Sequence, residues 1–345
     1  MSKIVYLLGA GASRGIRKTD NPLININSKE NIIEGLPLVN EIPTEVNALI
    51  EKLKNFDVKD ESKKNAWDTV KEDIINDFEW LAEKSNSHAT IDTYAKKLWL
   101  QNDVNQLNKV KSVLSLFFII EQMINKADSR YDTFLANILS KDFQIPDAIS
   151  IFTWNYDSQF ELAFQEYSSK ITLPKDVGVS NYNDTGEDKC MNPKIFKLNG
   201  SASFIDLYSL GKFCKNSKEE LNYRLLENTA YLYQNYCYSG NYQASKLSFS
   251  WEQNSDRNSF IETACKRIEN ASSIVIIGYT FPFFNRQTDR YIFNYLQSLK
   301  NIYIQDPNAN MIEQNLQPVI PQTISDKIKV YHITNTSQFF LPPEL

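Results

Sequence analysis

Apolar residues along the chain fall into two rhythms. Short β-rich runs occur at Lys3–Leu8, Ile149–Phe152, Lys194–Leu198, Ser273–Ile277, Ile302–Ile304 and Lys329–His332, each bounded by polar or turn residues. Runs of this kind read as strands. The first ends at once in Gly9, Ala10, Gly11, Ala12 and Ser13, the pattern of a strand entering a tight loop. Helical patterns separate several of the runs, so the economical topology is a Rossmann-like α/β fold with a mostly parallel, doubly wound sheet.

The second rhythm is helical. Trp67, Val70, Ile74, Phe78 and Leu81 recur at spacings of three and four, as do Ile91, Tyr94, Ala95 and Leu98, and then Leu107, Val110, Leu114, Phe117 and Phe118. Each set marks one face of an amphipathic helix. The segment 39–139 is therefore expected to be a helical subdomain inserted into a sheet domain made of 1–38 and 140–334. Within that domain, 208–257 is rich in Tyr, Asn and Ser with weak periodicity, and is expected to be a second insertion. The tail 335–345 carries Phe339, Phe340, Leu341, Pro342 and Pro343 and is expected to dock on the body or on a partner.

Composition narrows the class of function. The 345 residues are 42% hydrophobic and 23% charged, enough apolar content for a full core in one large domain or two modest ones. With 37 Lys+Arg against 42 Asp+Glu the net charge is −5, and no basic block stands out. No broad field draws in nucleic acid or an anionic membrane, so neither partner is expected. The apolar run at Ile4–Leu8 is too short to span a bilayer and lacks a signal peptide's context, which predicts a cytoplasmic protein. Cys190, Cys214, Cys237 and Cys265 form no C-x-x-C pair. They read as buried thiols and not as a zinc ribbon or a disulfide framework, and no metal is expected.

Chemistry concentrates at strand ends. Gly9 and Gly11 lack Cβ atoms and let backbone N–H groups come close to a pyrophosphate, as a dinucleotide site requires, though a tight strand exit with no ligand needs the same residues. Ser13 offers a hydroxyl to phosphates, and Arg14 is either a phosphate clamp or a solvated charge. After the second run comes Thr153, Trp154, Asn155, Tyr156 and Asp157, with Ser158 and Glu161 in a capping-box spacing that starts the next helix at Ser158. Asn155 and Asp157 thus fall in a strand-to-helix loop, where open α/β sheets bind ligands. An amide and a carboxylate there can orient a water and read a carboxamide, or serve only as turn formers. In Lys197, Leu198, Asn199, Gly200 and Ser201, Asn199 is placed either for a ribose hydroxyl or as a turn residue before glycine. In Gly278, Tyr279 and Thr280, the glycine permits close approach and Thr280 supplies a phosphate-directed hydroxyl. Asp306, ending the run at Ile302–Ile304, suits an adenosine ribose diol, or else caps a turn.

The order of these motifs, G-A-G-A-S, T-W-N-Y-D, K-L-N-G-S and G-Y-T-F on successive strand ends, resembles the sirtuin NAD-binding domain. The resemblance is closest to the sirtuin-like NADases of bacterial anti-phage defence, also at Pro37-Leu38-Val39-Asn40-Glu41 and Ile91-Asp92-Thr93-Tyr94-Ala95. It implies NAD+ as substrate, cleaved to nicotinamide and ADP-ribose, with the protein as effector of an abortive-infection system. By position, it implies that Gly9, Ala10, Gly11 and Ser13 hold the pyrophosphate and that Asn155 orients the attacking water. Asp157 would sit by the carboxamide, Thr280 would support the phosphates, and Asp306 the adenosine ribose.

One departure matters: where the family has histidine in K-L-H-G-S, this chain has Asn199, and its histidines are His88 and His332. An amide cannot take a proton near neutral pH, so deacetylation is disfavoured. Hydrolysis asks less, since nicotinamide leaves as a neutral molecule and an oriented water captures the ribosyl cation, leaving Asn155, Asn199 and Asp157 as the catalytic set. The alternatives are a catalytically weak or inactive NAD-binding subunit, and ADP-ribosyl transfer to a macromolecule. His88 before a helix reads as a cap or surface residue more than as a replacement base. Sheet and insertions occupy nearly the whole chain, so control is expected in trans, from a homo-oligomer or a complex with a regulatory or sensor protein. The 208–257 insertion and the 339–343 tail are the candidate contact surfaces.

Overall fold

The structure, a computed structural model, describes residues 3–15, 35–56, 58, 61–125, 127–167, 174–184, 186, 189–204, 223–242, 245–252 and 255–345. In chain order the elements are β1 (Ile4–Leu8), α1 (Ala10–Ser13), α2 (Ile42–Asn55), α3 (Glu61–Ser87), α4 (Ile91–Leu100), α5 (Val104–Ile124), α6 (Ser129–Ile138), β2 (Ile149–Thr153) and α7 (Gln159–Tyr167). There follow β3 (Val179–Asn181), β4 (Ile195–Lys197), α8 (Tyr223–Tyr236), α9 (Ser255–Ile268), β5 (Ser273–Ile277), α10 (Arg286–Tyr295), β6 (Asn301–Gln305), α11 (Ala309–Leu316), α12 (Gln322–Ser325) and β7 (Lys329–Ile333). They belong to two compact units: Met1–Gly15, Asp128–Gly200 and Phe249–Leu345 form the sheet unit, and Ile16–Ala127 with Ser201–Ser248 form the helical unit.

The sheet unit is Rossmann-like. Its seven strands lie in the order β3-β4-β2-β1-β5-β6-β7, and every pair is parallel. Apolar side chains alternate between two covered faces. Ile4, Tyr6 and Leu8 pack with Phe134 and Leu135 of α6 and Phe160 and Phe164 of α7. Val5 and Leu7 pack on the other face with Ile261 and Ala264 of α9 and Ile292 and Phe293 of α10. Cover on both faces is why the central strands are apolar throughout. The register sets the strand ends level: Leu8 lies opposite Thr153 and Ile277, and Thr153 opposite Lys197. The chain goes from β1 to β2 on one side and reaches β5 on the other, so the reversal of strand order falls between β1 and β5, where open α/β sheets take ligands.

The structure departs from the sequence expectations at α6 and at β3. Helix α6, read as part of the inserted subdomain, belongs to the sheet unit because Tyr131, Phe134, Leu135 and Ile138 fill one side of the sheet. The tail is docked on its own body, the first of its two expected places, with Phe339 6% exposed in that same cluster and Phe340 and Leu341 beside it. The strand β3 carries no run of apolar residues and was not expected; among the described residues it pairs only with β4, at the edge.

The helical unit holds α2 to α5 and α8. Trp67, Val70, Ile74, Phe78 and Leu81 are all buried, as their spacing predicts. Phe78 of α3 meets Phe117 of α5 edge-on at 6.4 Å. Asp77 pairs with Lys109 at 2.7 Å and accepts the Tyr242 hydroxyl at 3.1 Å. Residues 201–204, 223–242 and 245–248 join this unit, so the 208–257 segment is divided, 249–252 and 255–257 returning to the sheet unit and 208–222 lying outside the described residues. Cys237 and Cys265 are buried, and desolvation pushes both thiols up, Cys265 to about 12; Cys214 lies outside the described residues. No helix among the described residues is long and apolar enough to cross a membrane.

Candidate functional site

The loops after β1 and β5 touch backbone to backbone. Gly9 N–H donates to Ile277 O and Gly11 N–H to Gly278 O, each at 3.0 Å. A Cβ on Gly11 would lie 2.8 Å from Gly278 Cα, and one on Gly278 would lie 2.5 Å from Gly11 Cα and Ala12 N. Gly278 also has φ +58, in the left-handed region that a side chain disfavours. The glycines are thus explained by each other. The amides of Gly9, Gly11 and Ala12 are all spent inside the protein, the last on Gly9 O. Expected pyrophosphate donors, they are not free in this conformation, and Ala10 is the loop amide with no backbone partner among the described residues.

Asn155 is tied to this loop. Its Nδ2 donates to Gly9 O at 2.8 Å and to Ser13 Oγ at 3.1 Å, while its own N–H donates to Thr153 Oγ1 at 3.0 Å. With both amide hydrogens committed, what Asn155 can still offer is Oδ1, an acceptor for a hydrogen bond from a water whose lone pair it would then aim. Thr153 therefore shapes the loop that carries Asn155. Ser13 Oγ is held in turn by Tyr131 OH at 2.7 Å, a phenol from α6 whose ionisation burial suppresses.

Asp157 is buried, and desolvation raises its carboxyl above the usual range against the pull of Lys197, of the Gln159 N–H and of Ser13. Its Oδ1 accepts the Gln159 N–H at 3.0 Å, which starts α7. The expected capping box is not what engages Glu161: its Oε1 pairs with Lys197 at 2.7 Å. Lys197 is 2% exposed and also donates to the Asp157 carbonyl. Asn199, 9% exposed, donates Nδ2 to Trp154 O at 3.2 Å, and its Oδ1 is buried without a partner. A buried acceptor left unpaired carries a real desolvation cost, and it marks where a hydroxyl or a water belongs.

The supports behind these groups carry no signal in the sequence. Arg130 donates Nη2 to Gly11 O and Ala12 O, each at 3.1 Å, and Nε to Asp128 at 3.0 Å. It satisfies the carbonyl end of the one-turn helix α1, which the turn itself leaves open. Behind Trp154, whose indole stacks on Tyr279 at 5.9 Å, the Tyr279 hydroxyl donates to Asp289 Oδ2 at 2.8 Å. Asp289 is 1% exposed, and burial lifts its carboxyl to about 8.

The outer residues are placed differently. Thr280 is exposed, with its carbonyl taken by Asn315 Nδ2 at 3.0 Å. Asp306 follows β6 and its Oδ1 accepts the Asn308 N–H at 2.8 Å, the capping role that was its alternative. Arg14 is half-buried at the end of α1. His88 Nδ1 lies 3.0 Å from Lys84 O at the end of α3, as a helix cap, and His332 Nε2 meets Glu313 at 2.7 Å on the surface. The structure thus gathers Gly9, Ser13, Asn155, Asp157, Gly278 and, through the Trp154 carbonyl, Asn199, and leaves Thr280 and Asp306 outside that hydrogen-bonded set. Comparison with protein-family models gives no match, and comparison with curated proteins gives none.

Proposed function

We propose that the sheet unit is an NAD+ glycohydrolase site, cleaving the bond between nicotinamide and ribose to leave ADP-ribose. The observation that carries this reading is the pair of carboxamide oxygens at adjacent strand ends: Asn155 Oδ1, with both its amide hydrogens anchored, and Asn199 Oδ1, buried and unpartnered. Asn155 would hold the attacking water and Asn199 a hydroxyl of the nicotinamide ribose. The C1′–N bond breaks with its electrons going to the pyridinium, which leaves neutral. Water forms the new C1′–O bond and its proton goes to solvent. No strong base is needed, because the ribosyl cation is captured as it forms.

Asp157, whose burial favours the protonated acid, would face the carboxamide end of the substrate. Binding of the pyrophosphate requires Gly9–Ser13 to present its amides by a shift of the loop, or to use Ala10 and Ser13 alone. We further propose that activity is controlled by a partner protein, in the manner of an anti-phage effector, since free hydrolysis of NAD+ would harm the host. The test is release of nicotinamide from NAD+ by the full chain. Asn155→Ala should lower the rate by about 10²–10³-fold, the loss of one preorganised hydrogen-bonding group. Intact NAD+ in the presence of the partner would instead favour an NAD-binding subunit, for which the replacement of a base by Asn199 is the supporting observation.

A further inference from the structure

A second unpaired group lies next to Asn199. Arg257, in the first turn of α9, is 3% exposed. Its Nη2 donates to Leu198 O at 3.2 Å, its Nε has no partner, and among the described residues no carboxylate forms an ion pair with it. The groups that act on its charge are Tyr182 and Glu252, and Glu252 Oε1 is occupied by the Phe249 N–H at 2.7 Å. An enclosed guanidinium without an anion is costly, and arginines in such places are normally paired. Burial accordingly weakens its hold on its proton. At the end of β4, therefore, a cation lacking its anion adjoins, through the Leu198–Asn199 peptide, an acceptor lacking its donor.

One ligand chemistry answers both. A guanidinium prefers the oxygens of phosphate or carboxylate, and the start of α9 adds its dipole to that preference. Asn199 Oδ1 requires an O–H or N–H. We infer that Arg257 and Asn199 form a subsite for a phosphorylated ribose, with the phosphate on the Arg257 guanidinium and a sugar hydroxyl donated to Asn199 Oδ1. The inference rests on the dinucleotide reading for the choice of ribose as the hydroxyl's carrier, and not on any cleavage step. The phosphorylated ribose is either part of the dinucleotide or a separate sugar phosphate.

The experiment is calorimetric titration of the full chain with three probes: ribose 5-phosphate, ribose and inorganic phosphate. Ribose 5-phosphate should bind, and ribose should bind at least about tenfold more weakly. Arg257→Gln should weaken ribose 5-phosphate by roughly 10- to 100-fold, the loss of charge-assisted hydrogen bonds. Asn199→Ala should weaken ribose 5-phosphate and leave inorganic phosphate unchanged; it and Arg257→Lys carry the test if Arg257→Gln does not fold. Ribose 5-phosphate that fails to bind, or binds equally to wild type, Arg257→Gln and Asn199→Ala, overturns the inference. Competition between NAD+ and ribose 5-phosphate assigns the phosphate to the dinucleotide, and simultaneous binding assigns it to a separate molecule. Ribose 5-phosphate bound through Arg257 in a protein that releases no nicotinamide would sink the hydrolase reading and leave this subsite standing.

Discussion

Replacing Gly278 by alanine tests the contact on which the whole candidate site is built. The added Cβ would sit 2.5 Å from Ala12 N, Gly11 C and Gly11 Cα, all backbone atoms, and it would do so at φ +58. The left-handed conformation alone costs a residue with a Cβ about 1–2 kcal/mol. Overlap with backbone that cannot rotate away adds about 1–3 kcal/mol, the usual cost of overpacking. The matched control is Gly178→Ala in the same unit: its φ is +78, but its Cβ would meet Lys194 at ordinary distances of 3.4–3.5 Å. Gly178→Ala should therefore lose about 1–2 kcal/mol and Gly278→Ala about 2–5 kcal/mol. Urea unfolding followed by circular dichroism measures both. Equal losses in the two variants would mean that the β1 and β5 loops are not packed as described, and the placement of Asn155 over Gly9 O would go with them.

Three further substitutions probe the layers behind the site. Asp289, lifted to about 8, binds its proton more tightly in the folded than in the unfolded chain, where an ordinary carboxyl titrates near 3.8. Its contribution to stability is thus complete below about pH 4 and is lost as pH rises towards 8, so Asp289→Asn should flatten that decline in urea midpoints relative to wild type. Identical pH slopes in the two proteins would refute the assignment. Lys197→Met leaves Glu161 Oε1 and the Asp157 carbonyl without their cation, and should cost about 3–5 kcal/mol of unfolding free energy. A loss below about 1 kcal/mol would show the pair to be solvated. Tyr131→Phe removes the bond to Ser13 Oγ at 2.7 Å, worth about 0.5–1.5 kcal/mol by chemical denaturation. If Ser13 positions Asn155, the same variant slows nicotinamide release beyond what its stability loss accounts for at saturating folded protein.

The frame was legible in the sequence where burial on both faces made whole strands apolar, as in Ile4–Leu8 and Ser273–Ile277, and the chemistry was legible where polar residues stop such runs. The edge strand Val179–Asn181 has one large apolar residue and, among the described residues, a single pairing partner, so it leaves no comparable pattern. Tyr131 reaches Ser13 across 118 positions from a helix whose apolar face looks like any other core stripe. Lys197 reads as a solvated lysine until its neighbours on α7 are in place, because lysine is rarely enclosed. Asp289 stands in a helix rich in polar residues, and only the folded chain sets it under Tyr279. Propensity and period carry the local structure, whereas these groups are defined by partners that the period does not index.

The arrangement keeps its charges one step behind its amides. Arg130, paired with Asp128, holds the carbonyls of Gly11 and Ala12; Lys197, paired with Glu161, holds that of Asp157. Buried ion pairs contribute little net stability once desolvation is counted, but a cation fixed on a carbonyl fixes the peptide that bears it. The strand tips so fixed then present Asn155 and Asn199, side chains whose hydrogen-bonding pattern does not change with pH. Under the proposed hydrolase reading, a site that aims a water at a short-lived cation would gain from such immobility without a base, because positioning alone can remove several kcal/mol of a barrier. On that argument asparagine at position 199 would suit the proposed hydrolysis, in which the leaving group needs no proton, and would disfavour any reaction in which a hydroxyl must first be ionised.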